Sequence, residues 1–173
     1  MLRRIVAVID AFIAGLGKLV ALLILVIIAI MIAEMISRDL FSVSMAWAGE
    51  LSSWLLVAMI FLGGPWALAR GNFVRVDAVF DRFGARTRAL VDTLVSSILF
   101  ALFCGVLIKF GGEFALKSFA MGERSATGGW GGPVWAAKGL VPVGAILLVL
   151  AWISHLYHAW QDDTPAADPE EGL

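Results

Sequence analysis

Charge is scarce in this chain. Only 16% of its 173 residues are Asp, Glu, Lys or Arg, against about 25% in an ordinary soluble domain. A soluble domain of this size keeps much of its chain at the surface and needs more polar residues than these. That excludes a soluble enzyme and a disordered regulator. Neither sign dominates: 13 basic and 14 acidic residues leave a net charge of −1. There is no basic surplus for phosphates, so nucleic acid is not an expected partner. The single cysteine, Cys104, allows no internal disulfide. The two histidines, His155 and His158, lie three apart near the end of one apolar run. A bis-histidine haem needs ligands facing each other from two helices, which one turn of one helix cannot supply. HExxH, CxxC and GxxxxGK[ST] are absent, as are paired carboxylates within the apolar runs. No cofactor, metal or catalytic group is expected. No internal repeat is found, so the inverted-repeat signature of a complete secondary transporter is missing.

Apolar residues are abundant: 61% of the chain, with a mean hydropathy of +0.92. The class is an all-α membrane protein. Charge-free runs cover residues 19–33, 51–69, 93–108 and 139–160. A helix rises about 1.5 Å per residue and the hydrocarbon core is about 30 Å thick. The second and fourth runs span unaided. The first and third need flanking residues, with Lys18, Asp92 and Lys109 reaching toward the headgroups. The expected spans are 11–33, 51–69, 91–112 and 139–160, within a membrane domain of residues 1–160. The first is read as a retained helix, because its run is too long for a signal peptide and lacks a small-x-small cleavage site. With both termini inside, eight basic residues lie inside and five outside. The positive-inside rule therefore favours cytoplasmic termini.

The connections carry the polar features. Trp47 and Glu50 stand where the second helix begins; a carboxylate there meets the positive end of the helix dipole, and an indole suits the interface. In the inner connection Val76, Val79, Phe80 and Phe83 recur at helical spacing with Asp77 and Asp81 off the stripe. This predicts a short amphipathic interfacial helix between helices 2 and 3. Arg75, Arg82, Arg86 and Arg88 can reach membrane phospholipid or a partner there. The longest connection, on the outer side, contains GERSATGGWGGPVW. Five glycines in eleven residues free its backbone while Pro133 fixes it locally. Such a loop is a flexible spacer or a shaped docking surface, and Trp130 and Trp135 favour docking. Its candidate contact residues are Glu123, Arg124, Ser125, Trp130 and Trp135. Pro142 is read as a first-turn proline of the fourth helix. Residues 161–173 hold five acids and no base and are read as a disordered cytoplasmic tail.

Two stretches resemble a known family, the small membrane subunit of tripartite ATP-independent periplasmic (TRAP) transporters. In MAWAGELSSWLLVAMIFLGGPWALARGNFVRVDAV the matching positions are Trp47, Glu50, Gly63, Arg70, Gly71, Val76 and Asp77. In GERSATGGWGGPVWAAKGLVPVGAILLVL they are Ser125, Pro133, Trp135, Pro142 and Gly144. Phe73 departs from the pattern, since many members carry histidine there. The resemblance implies an accessory scaffold in a bacterial inner membrane. It implies pairing with a large transport subunit that holds the substrate and sodium sites and moves in an elevator manner. It also implies a periplasmic binding protein that delivers a small organic acid to the outer face. Two other readings stand beside it: a self-sufficient small homo-oligomeric transporter or channel, and a redox-enzyme anchor, which would need histidines on two helices.

Overall fold

The computed structural model describes residues 2–70, 85–126 and 130–162, with side chains described for 3–70, 94–126 and 130–159. Among these residues the regular structure is helical: α1 (Leu2–Ala21), α2 (Leu23–Phe41), α3 (Ala46–Ala69), α4 (Ala85–Ala120) and α5 (Val134–Asp162). The β-pairing described is one isolated bridge, Arg124 with Pro133. The expected amphipathic segment around Val76 and Phe83, and the acidic tail beyond Asp162, lie outside the described residues.

α1 and α2 are nearly one rod, interrupted at Leu22, whose N–H reaches back to the Leu19 carbonyl at 3.1 Å. Four stretches are long and apolar enough to cross a bilayer: Arg3–Phe41, Ala46–Ala69, Leu94–Ala120 and Val134–Ala159. This agrees with the four-helix reading of the sequence. The helices outrun the apolar runs. α4, with 36 residues, is about 54 Å long at the usual rise, so it cannot lie wholly within a core of about 30 Å.

α5 is the central helix. It packs most extensively on α4 and α3 and touches α1, while α2 leans on α3. Many of the side chains that fill these contacts are small, alongside the larger Val6, Ile13, Val20, Leu68 and Leu147. Ala48, Ala58, Cys104, Ala145, Ala151, Ser37, Ser52, Ser118 and Ser154 are buried. Large apolar residues point outward instead, among them Leu25, Ile28, Met31 and Ile32 of α2 and Ile98, Leu102, Phe103 and Phe110 of α4. This inverts the soluble pattern and fits a bilayer. Lipid solvates large apolar side chains, and helices associate through small residues that let backbones approach. The largest apolar contact gathers Ile13, Leu68 and Ala151, with Trp66, Phe100 and Trp152 against them. It lies toward the end of the bundle where α1 begins and α5 ends. α1 turns Val6, Ile13 and Val20, seven residues apart, into the bundle and leaves Ile5, Phe12 and Leu19 outside.

One expectation is corrected. Pro142 is not a first-turn proline; it sits well inside α5, which begins directly after Pro133. Pro133 does the capping, and its carbonyl accepts the Ala136 N–H at 3.1 Å. The sequence reading started the helix at the end of the last charge. The chain starts it at the preceding proline, because Lys138 stands beyond the apolar run where water or a polar partner satisfies it.

Candidate functional site

The loop between α4 and α5 is built from the helix ends inward. α4 closes at Gly122, and the Glu123 N–H donates to the Ser118 carbonyl at 3.0 Å. The chain then runs out through Arg124 and Ser125 and returns through Trp130–Pro133. The two limbs are tied together. The Ser125 N–H donates to the Gly132 carbonyl at 2.9 Å, and Arg124 Nη1 donates to the Gly131 carbonyl at 2.9 Å. Gly131 has φ +62°, a left-handed conformation that glycine adopts without a Cβ penalty. It turns its carbonyl toward the guanidinium.

Charge is paired within this structure. Lys138, on the first turns of α5, meets Glu123 Oε2 at 2.5 Å. Its ammonium also lies 3.9 Å from the centre of the Phe114 ring, a cation–π geometry. The Lys138 hydrogen bond holds the Glu123 carboxyl below its usual range. Trp135 sets its ring edge-on to Phe119 at 5.2 Å. Trp130 reaches furthest: its Nε1 donates to Glu50 Oε2 at 2.8 Å, and its ring lies 5.3 Å from that of Trp54. All five candidate contact residues, Glu123, Arg124, Ser125, Trp130 and Trp135, thus belong to one connected structure at the same end of the bundle. Trp130 and Trp135 keep more than a third of their surface exposed. Arg124 is engaged by a backbone carbonyl, while Glu123 goes to Lys138.

A second polar group lies at the opposite end. Asp10 of α1 accepts a short hydrogen bond from the Ser154 hydroxyl, and its other oxygen lies 2.9 Å from His158 Nε2. Nearby, Trp152 Nε1 donates to Ser97 Oγ at 3.3 Å while its ring stacks on Phe100 at 4.8 Å. At the end of α3 the Arg70 N–H donates to the Trp66 carbonyl at 3.2 Å, and the Arg70 guanidinium lies over the Trp66 ring, 4.4 Å from its centre.

The sequence reading grouped the loop residues but did not name Lys138 and Trp54 as their neighbours, nor the Asp10–Ser154 contact at the other end. The i, i+4 spacing of Glu50 and Trp54 was the available signal for a shared face. Among the family-motif positions, Gly63 faces Val20 and Gly144 lies against Phe61. Pro133 caps α5, and Trp47 is exposed. Gly71, Val76 and Asp77 lie outside the described residues, as do Arg75 and Arg82. Arg86 and Arg88 lie on the first turn of α4, with their side chains outside the described set. Among the described residues no group of three His, Cys, Asp or Glu side chains could hold a metal ion.

Four apolar spans, small-residue packing and polar groups gathered at the two ends define a multi-pass membrane protein. The chain belongs to the family of tripartite ATP-independent periplasmic transporters, DctQ component, which matches residues 27–162, most of its length. It is thus a component of a transporter of that tripartite class. No curated protein matches it significantly.

Proposed function

We propose that this chain is the stationary membrane subunit of a sodium-driven importer of a small organic acid. In this reading it pairs with a large transport subunit and enlarges the part that stays fixed while the solute site moves. Its loop end faces the periplasm and receives the solute-binding protein. Both termini are cytoplasmic in the bacterial inner membrane, where Arg75, Arg82, Arg86 and Arg88 contact phospholipid or the partner. The observation that carries the reading is the placement of polar groups. Residues 23–33, 51–69, 94–108 and 139–159 contain no Asp, Glu, Lys or Arg, whereas the loop end is an organised polar surface. A pathway for a charged solute normally needs buried ionisable groups in mid-membrane; a scaffold does not.

Reconstitution tests this. Liposomes holding the chain alone are expected to take up no organic acid under a sodium gradient. Those holding the chain, the large subunit and the binding protein are expected to do so. Uptake by the chain alone would replace the scaffold with a self-sufficient transporter.

A further inference from the structure

Glu50 stands in the first turns of α3, where a helix-dipole role suffices to explain an acid. Its contact says more. Oε2 accepts the Trp130 indole N–H across 80 residues of sequence. Trp54, one turn further along the same face, receives the Trp130 ring. The two side chains form a seat with one polar and one aromatic point. The indole in turn folds back over Gly132, which is buried and where any Cβ would collide with the ring. The Gly132 carbonyl is the acceptor for Ser125 N–H. A chain of contacts therefore runs from α3 through Trp130 and Gly132 to the limb that carries Arg124.

From this we infer that Glu50 is a positioning residue: through Trp130 it holds the outer loop in the conformation that the binding protein meets. The inference rests on the docking role proposed for that loop. Binding costs the ordering of whatever is loose beforehand, so a loop fixed in advance docks with less loss. A carboxylate acceptor suits the task, since hydrogen bonds to charged groups are stronger than neutral ones. Trp130 is spent partly on this internal contact, while its remaining exposed edge faces outward.

The test uses the assembled transporter with variants of this chain. Two quantities are read: hydrogen exchange of the segment holding the Ser125 amide, and the binding-protein concentration giving half-maximal uptake. Glu50→Ala is expected to speed that exchange about tenfold. It is expected to raise the half-maximal concentration about fivefold, with the saturated rate within about twofold of wild type. Glu50→Gln keeps an oxygen acceptor and should recover most of both effects. Trp130→Phe keeps an aromatic ring and loses the donor, so its exchange should match that of Glu50→Ala, and the double variant should add little to it. Unchanged exchange in Glu50→Ala overturns the inference at its first step. Faster exchange with an unchanged half-maximal concentration overturns it at the second, and Arg124→Glu then separates two cases. If Arg124→Glu raises that concentration, the loop docks without needing Glu50. If it too has no effect, the docking role falls as well.

Discussion

Asp10 shows what a single residue contributes when its partners lie far away in sequence. It follows the amphipathic start of α1 and precedes the apolar run, so the sequence presents it as an ordinary flank. His158 likewise reads as an interface residue. The structure joins them across 148 positions and adds Ser154, whose side chain is buried. Removing the carboxylate leaves that hydroxyl without the acceptor it now uses, and leaves α1 with one fewer tie to α5. Buried hydroxyls stripped of a partner cost about 1–3 kcal/mol, and polar contacts between membrane helices about 0.6–2 kcal/mol. Asp10→Ala is expected to lower stability by about 1 kcal/mol. Denaturant unfolding of the detergent-purified protein measures it, with Asp10→Asn losing less. A variant as stable as wild type would show that apolar packing alone seats α1. No local pattern encodes such a contact; only the folded arrangement of α1 against α5 reveals it. The same holds for Glu50, legible as a helix-start acid but not as the seat of Trp130.

Among the elements, the number of spans was legible and the helix ends were not. A bilayer tolerates few charges, so charge-free runs mark spans. Past the hydrocarbon boundary that constraint lapses, and α4 and α5 continue with Lys109, Lys117 and Lys138 along them. Pro65 stands inside the second apolar run, where a proline bears directly on the helix. Buried within α3, it has no N–H to give the Phe61 carbonyl one turn earlier. α5 closes on that carbonyl at Gly144, where a Cβ would lie 2.5 Å from the oxygen. Two effects compete on substitution. Alanine gains up to about 1 kcal/mol of helix propensity over glycine, while forcing bulk into a tight contact costs about 1–3 kcal/mol. The obstacle is backbone, which cannot rotate away, so the clash prevails. Gly144→Leu is expected to destabilise by at least about 2 kcal/mol, read as a lower thermal midpoint. Gly139→Leu, on the same helix but with nothing near its Cβ position, should be close to neutral. Equal effects at the two sites would remove the special status of the α3–α5 crossing.

For the whole molecule the two polar clusters fix a frame. Asp10 with His158 ties the start of α1 to the end of α5. Trp130 with Glu50 ties the loop to the start of α3 at the opposite end. α3 ends at Arg70 and α4 begins at Ala85, so Arg3, Arg4 and Arg70 share the terminal end with the start of α4. Arg38, Arg124 and Lys138 share the other. The positive-inside rule puts the terminal end in the cytoplasm, as proposed above. Because the ends are tied internally, one labelled position at each end decides for all. Single cysteines introduced as Gly128→Cys and Ala85→Cys, in a Cys104→Ser background, are expected to behave oppositely in intact cells. An impermeant maleimide should label the Gly128→Cys protein from outside, and the Ala85→Cys protein only after the membrane is opened. The reverse pattern would place the Trp130 surface in the cytoplasm. A periplasmic binding protein could not then meet it, and the docking role of Arg124 and Trp135 would fall while the fold stood unchanged.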